Sequence, residues 1–147
     1  MMSHKKILVA VDLSKESDQV LETACKLADG DKSRLRLIFV LAPVMTSYPF
    51  AAGAVALGDL QEQATESAEK KLRELADKFD IPAENLDVVV GAPASEIPAE
   101  AKQQQVDLIV LGSHGTSGWR VLLGSTASGV LNAADCDVLT VRIKSED

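Results

Sequence analysis

Apolar and polar positions along the chain follow two alternating periods. Lys6 to Asp12, KILVAVD, is a short, nearly continuous apolar run rich in branched residues. Such a run predicts a strand buried on both faces, as in a parallel sheet. After Ser14 the period changes. Val20, Leu21, Ala24, Leu27 and Ala28 fall on one helical face, with Lys15, Glu16, Asp18, Glu22 and Lys26 largely on the other. Gly30 marks the end of that helix. Arg34 to Ala42, RLRLIFVLA, reads as the second strand. Pro43 and Pro49 punctuate a stretch, MTSYPFAAG, that is too apolar for a free linker. It reads either as a flap or as a segment packed on the body.

The clearest amphipathic helix follows. Leu57, Leu60, Ala64, Ala68, Leu72, Leu75 and Phe79 recur at steps of three and four. Leu86 to Gly91, LDVVVG, is the third strand. A short helix comes next, with Ser95 as the expected N-cap and Pro98 expected in its first turn. Asp107 to Leu111 is the fourth strand. Ala127, Val130, Leu131 and Ala134 mark the last helix, and Cys136 to Ile143 the fifth strand. Alternating strands and helices imply parallel neighbours joined by right-handed crossovers. The expected fold is α/β: a doubly wound, three-layer α/β/α sandwich, with residues 1–147 as one domain. Ligands of such sheets bind outside the carboxyl ends of the strands, where the strand order reverses.

Composition removes several classes. The chain has 147 residues, 46% hydrophobic and 25% charged, which suits one globular domain with a real core. No apolar run reaches the roughly 20 residues that span a bilayer. The start offers only about five apolar residues before Asp12, too few for a secretory segment, so a cytoplasmic protein is expected. Fifteen basic against 22 acidic residues give net charge −7, which removes any general attraction for nucleic acid or anionic membranes. Two cysteines without a CxxC, Cys25 and Cys136, read as reduced, and His4 and His114 are too few for a metal cluster.

The candidate chemistry lies at the strand ends. Asp12-Leu13-Ser14 follows the first strand, so the dinucleotide fingerprint GxGxxG is absent there, and no GxxxxGK[ST] occurs. Gly112-Ser113-His114-Gly115-Thr116-Ser117-Gly118 follows the fourth strand, and Gly124-Ser125-Thr126 opens the last helix. Paired glycines allow close backbone approach to a ligand. A helix start with free amides and two hydroxyls can hold an anion without Lys or Arg. The plainer reading is that the glycines turn the chain and the hydroxyls cap the helix. Asp12 has two readings as well. It caps the following helix, or it accepts from ribose hydroxyls or an adenine amino group, or helps hold a metal ion. His114 either donates to a phosphate or faces solvent, and Trp119 either covers the site or buries its loop.

Three segments, HKKILVAVDLSKES, VVVGAPASEI and LGSHGTSGWRVLLGSTASGVL, resemble the universal stress protein family in the same order over nearly the whole chain. The resemblance implies a five-stranded parallel sheet of order 3-2-1-4-5, a Rossmann-like fold of the adenine nucleotide alpha hydrolase type. It brings Asp12 beside Gly112. The ATP-binding branch of the family carries G-x2-G-x9-G-[ST]. Carried across by position, the phosphate contacts would be Gly112, Gly115, Gly124, Ser125 and Thr126, with His114 in the same loop. Ala10, Val11 and Asp12 would lie at the ribose or adenine, Val40 would meet adenine through its backbone, and Leu111 would line the pocket. ATP or ADP, with or without Mg, is the implied ligand. Gly115 and Gly124 enclose eight residues here, Thr116 to Leu123, where that branch has nine. AVDLSKES and LGDLQEQ resemble the branch that generally does not bind ATP. That leaves a second reading, a nucleotide-independent dimeric stress protein acting through protein contacts.

No nucleophile–histidine–acid set can be composed from one loop histidine, and Arg120 is the sole cation near the glycine motif. Slow ATP hydrolysis or autophosphorylation is the most the family implies. The final strand, Val138-Leu139-Thr140-Val141, is apolar on both faces and would be an edge. An exposed apolar edge needs cover, and its symmetry mate supplies it in a homodimer. Cover by a tail or helix of the same chain is the alternative.

Overall fold

The computed structural model describes residues 5–43, 53–113 and 125–143. Five parallel strands form its centre: β1 (Ile7–Ala10), β2 (Leu35–Leu41), β3 (Leu86–Val90), β4 (Leu108–Gly112) and β5 (Asp137–Val141). Their spatial order is β3-β2-β1-β4-β5, as the resemblance implies. Among the described residues four helices connect them: α1 (Ser17–Leu27), α2 (Gly53–Lys78), α3 (Pro93–Gln103) and α4 (Ser125–Ala133). Single 3₁₀ turns at Lys32–Arg34 and Ala83–Asn85 lead into β2 and β3.

Strand periodicity divides the core into two layers. Ile7, Val9, Leu35, Leu37, Leu108 and Val110 face one side, where Val20, Leu21 and Ala24 of α1 and Leu72 and Ala76 of α2 cover them. Leu8, Ile38, Val40, Ile109 and Leu111 face the other, under Ile97 and Ala101 of α3 and Ala127 and Val130 of α4. A strand covered on both faces must be apolar throughout, which is why β1 reads as one unbroken run. Each fully buried leucine or isoleucine contributes about 1.5–3 kcal/mol through the water it leaves. No helix among the described residues is long and apolar enough to cross a membrane.

The structure corrects several expected boundaries. Helix α2 begins at Gly53, four residues before Leu57, so the expected loop ends earlier; residues 44–52 lie outside the described residues. The apolar stripe of α2 also buries unevenly. Ala68 and Leu72 are inside, but Leu60 is 50% exposed. Twenty-six helical residues reach about 39 Å, whereas the seven of β2 reach about 23 Å, so the helix outruns the sheet. Ser95 does not cap α3. Ala92 is the N-cap, Pro93 takes the first helical position, and Ser95 is third. Pro98 therefore lies inside the helix rather than in its first turn, and the Ala94 carbonyl lacks the amide it would otherwise receive. Of the two prolines, Pro93 is the one at the position that a helix start favours.

Helix α1 ends before Gly30. Asp29 takes the left-handed conformation (φ 55°), and Gly30 follows it at φ 79°. The Gly30 amide returns to the Cys25 carbonyl at 3.1 Å and that of Asp29 to Lys26 at 3.1 Å. Asp80 and Gln105 end α2 and α3 in the same way, with φ 59° and 57°. The paired closing bonds run from Ile81 to Ala76 and from Val106 to Ala101.

Candidate functional site

In a parallel sheet all carboxyl ends lie along one edge. The chain leaves β1 toward β2 on one side and runs from β4 to β5 on the other, so the order reverses between β1 and β4. Ala10 ends β1 and Gly112 ends β4 at that reversal. Ala10, Val40 and Leu111 all belong to the layer beneath α3 and α4. Val11 turns the other way and joins the layer beneath α1 and α2. Its side chain is therefore core, and its amide is spent on the Ile38 carbonyl at 3.0 Å.

Asp12 is exposed at the exit of β1. Its Oδ1 accepts from the Ser14 amide at 3.0 Å, from the Ser14 hydroxyl at 2.6 Å and from the Ser17 hydroxyl at 3.1 Å. No hydrogen bond reaches Oδ2 among the described residues. The capping reading is corrected: Glu16 is the N-cap of α1, and Oδ1 of Asp12 braces the turn that leads into the helix instead, while Oδ2 takes no bond among the described residues. Leu13, held left-handed at φ 62°, makes the turn that allows this. That conformation costs a non-glycine residue about 1–2 kcal/mol, and packing of Leu13 on the core offsets it. Ser17, only 2% exposed, and Ser14 were not among the expected site residues. The signal was present in D-x-S-x-x-S, since an aspartate bonding its own backbone two residues on is a local turn.

Helix α4 begins at Ser125, which is exposed; Thr126 is half-buried, and Ala127 and Val130 are buried against the sheet. The first amides of a helix have no partner within it, so this end offers donors. The exit of β4 is tied to β5. The Ser113 amide donates to the Val141 carbonyl at 2.9 Å, and the Ile143 amide reaches the Ser113 hydroxyl at 3.4 Å. The structure therefore assembles Ala10, Asp12, Val40, Leu111, Gly112, Ser125 and Thr126 around one edge. His114, Gly115 and Gly124 lie outside the described residues, as do Trp119 and Arg120. A carboxylate oxygen with no bond among the described residues, the first turn of a helix and its hydroxyls, over a small apolar floor, can take a polyol and an anion. Among the described residues no three His, Cys, Asp or Glu side chains gather as a metal site.

The family profile described as "Universal stress protein family" matches residues 3–142. The chain belongs to this family. Universal stress protein A homolog 2 of Coxiella burnetii is 41% identical over 145 residues, covering 98% of this chain and 99% of its own. Among solved structures, universal stress protein UspA from Lactobacillus plantarum has 30% identity and a TM-score of 0.77, covering 98% of this chain and all of its own. Protein MJ0577 has 25% identity and a TM-score of 0.80, covering 99% and 100%. Two more distant members share the fold. A universal stress protein family protein of Arabidopsis thaliana was solved with AMP bound (15% identity, TM-score 0.62, 96% and 93% covered). Another universal stress protein was solved in complex with cAMP (24% identity, TM-score 0.55, 96% and 98% covered).

Proposed function

We propose that the protein binds ATP or ADP at the carboxyl edge of its sheet and works as a nucleotide-dependent stress or signalling protein. The observation that carries this reading is the convergence of Ala10, Val40 and Leu111 on one face, beside Asp12 and the first turn of α4. In this reading the base lies over Ala10 and Val40. Ribose hydroxyls donate to Asp12 Oδ2, and the phosphates take amides and hydroxyls from Gly112, Gly115, Gly124, Ser125 and Thr126. Structural relatives solved with AMP or cAMP support the choice of an adenine nucleotide. A Mg²⁺ ion would be held chiefly by the phosphates, since among the described residues no three His, Cys, Asp or Glu side chains gather to hold it. The two free cysteines, Cys25 and Cys136, suit a reducing cytoplasm, the location that belongs to this reading.

Calorimetric titration of nucleotide-free protein with Mg·ATP tests the proposal. Saturable heat is expected, together with stabilisation of about 2.7 kcal/mol when ligand reaches a hundredfold excess over Kd. No heat and no thermal shift at millimolar nucleotide would end it.

The eight-residue interval between Gly115 and Gly124, with β5 at the sheet edge, favours the second reading: a nucleotide-independent dimer acting through its surface. Val138, Leu139, Thr140 and Val141 are only half-buried in one copy of the chain, and a symmetry mate along β5 would cover them. Sedimentation of nucleotide-free protein at micromolar concentration should show a dimer. A monomer would sink the shared edge, and a nucleotide copurifying with the protein would contradict nucleotide independence.

A further inference from the structure

Helices α3 and α4 touch through two residues with almost no side chain. Ala94 is the second residue of α3 and Gly129 the fifth of α4. A Cβ built on Gly129 would stand 2.6 Å from the Cβ of Ala94 and 3.6 Å from its Cα. Non-bonded carbons settle at about 3.5–4.0 Å. A methyl carried directly by the helix has no rotamer through which to retreat. One added carbon must therefore part the two helices by about an ångström. Glycine in a helix interior also costs about 1 kcal/mol relative to alanine. The sequence carries that cost where the approach needs it.

The contact lies on a path from the sheet edge to the crevice. The Gly91 amide donates to the Leu41 carbonyl at 3.0 Å, tying the exit of β3 to the end of β2. The amides of Ser95 and Glu96 return to the Ala92 carbonyl at 3.0 and 2.9 Å, so α3 starts directly from that anchor. Ala94 then meets Gly129, and Ser125 stands four residues back along α4, about 6 Å away. Ala127 and Val130 hold α4 down on the sheet, so its remaining freedom is toward or away from α3.

We propose that Gly129 is a positioning residue of the crevice: its bare Cα against Ala94 sets how far the first turn of α4 stands from the ends of β1 and β2. This rests on the reading of the crevice as a nucleotide site. Phosphate held by several amides at once tolerates little displacement, because hydrogen bonds keep to a narrow range of distance and angle.

The test uses the full chain with Gly129→Ala, Ala94→Gly and the double variant, each checked for folding by circular dichroism. Gly129→Ala should bind Mg·ATP about tenfold more weakly or worse. Its melting temperature should move little, because alanine is the better helix former. The double variant carries the methyl from one side of the contact to the other and should recover to within about threefold of the parent. A merely structural role predicts no such rescue of affinity. Unchanged binding by Gly129→Ala, or a double variant as weak as the single, would overturn the proposal. Amide resonances of Ser125 to Ala127, recorded without nucleotide, separate the two ideas. If the parent binds no ATP, the crevice reading fails; resonances that shift in Gly129→Ala and return in the double variant still uphold the positioning contact. Resonances that stay put overturn it.

Discussion

The two ends of the sheet are finished differently. At the amino end the protein closes its polar groups on itself. Asp107 accepts the amides of Lys5 and Lys6 at 3.0 and 3.2 Å, Lys6 Nζ donates to the Gln104 carbonyl at 3.0 Å, and Asn85 reaches the Leu35 carbonyl at 3.0 Å. Arg36 pairs with Asp87 at 2.9 Å across β2 and β3. At the carboxyl end, Asp12 Oδ2 takes no hydrogen bond among the described residues and α4 presents an exposed Ser125. Polar groups satisfied internally add stability, whereas groups left without internal partners gain when something binds. The amino end therefore holds the sandwich together, and the carboxyl end is where the proposed nucleotide site lies.

That contrast is open to attack, beginning with the largest effect. Replacing Gly115 by valine should abolish nucleotide binding, read by calorimetry, while the melting temperature holds. Equal loss of both would erase the distinction between the ends. Asp107→Ala should cost about 0.5–1.5 kcal/mol in urea denaturation by removing two solvent-exposed hydrogen bonds, with nucleotide affinity unchanged. A smaller, pH-dependent effect belongs to Glu100. Burial, followed by the neighbouring Asp87 carboxylate, holds its pKa above the usual carboxylate range. A raised carboxyl pKa means that the folded state keeps its proton longer. The stabilisation is complete below the ordinary value and is lost as pH rises through the folded one. Glu100→Gln should therefore gain melting temperature relative to the parent as pH climbs from about 4 to 7, and a flat difference would refute the assignment. The smallest change is Gln105→Gly, which should stabilise by about 1 kcal/mol by relieving a left-handed residue at the end of α3.

Strands were legible because a doubly covered sheet demands continuous apolar runs, and all five were anticipated to within two residues at either end. Their order came with the family resemblance; alternation alone implies a parallel sheet but not which strands are neighbours. Helix ends were less legible. Three helices close on Asp29, Asp80 and Gln105, in the conformation that glycine would adopt most easily, and local bonding overrode that preference. Leu60 shows the limit of periodicity: a helical stripe reports which face is apolar, not how far the surface beneath it extends. At the candidate site, residue type pointed to Asp12 and to the start of α4, and the structure puts both at the carboxyl edge of the sheet. The sorting of Val11 away from Ala10 follows from strand alternation, yet its consequence appears only when helices occupy both faces.

The brace around Asp12 has a kinetic meaning. Three donors hold its carboxylate in one rotamer, so in the proposed nucleotide site a hydroxyl meeting Oδ2 would find an acceptor already aimed. Little rotational freedom remains to be surrendered there on capture. Loosening Ser14 and Ser17 should consequently slow productive docking even though neither serine need touch the guest.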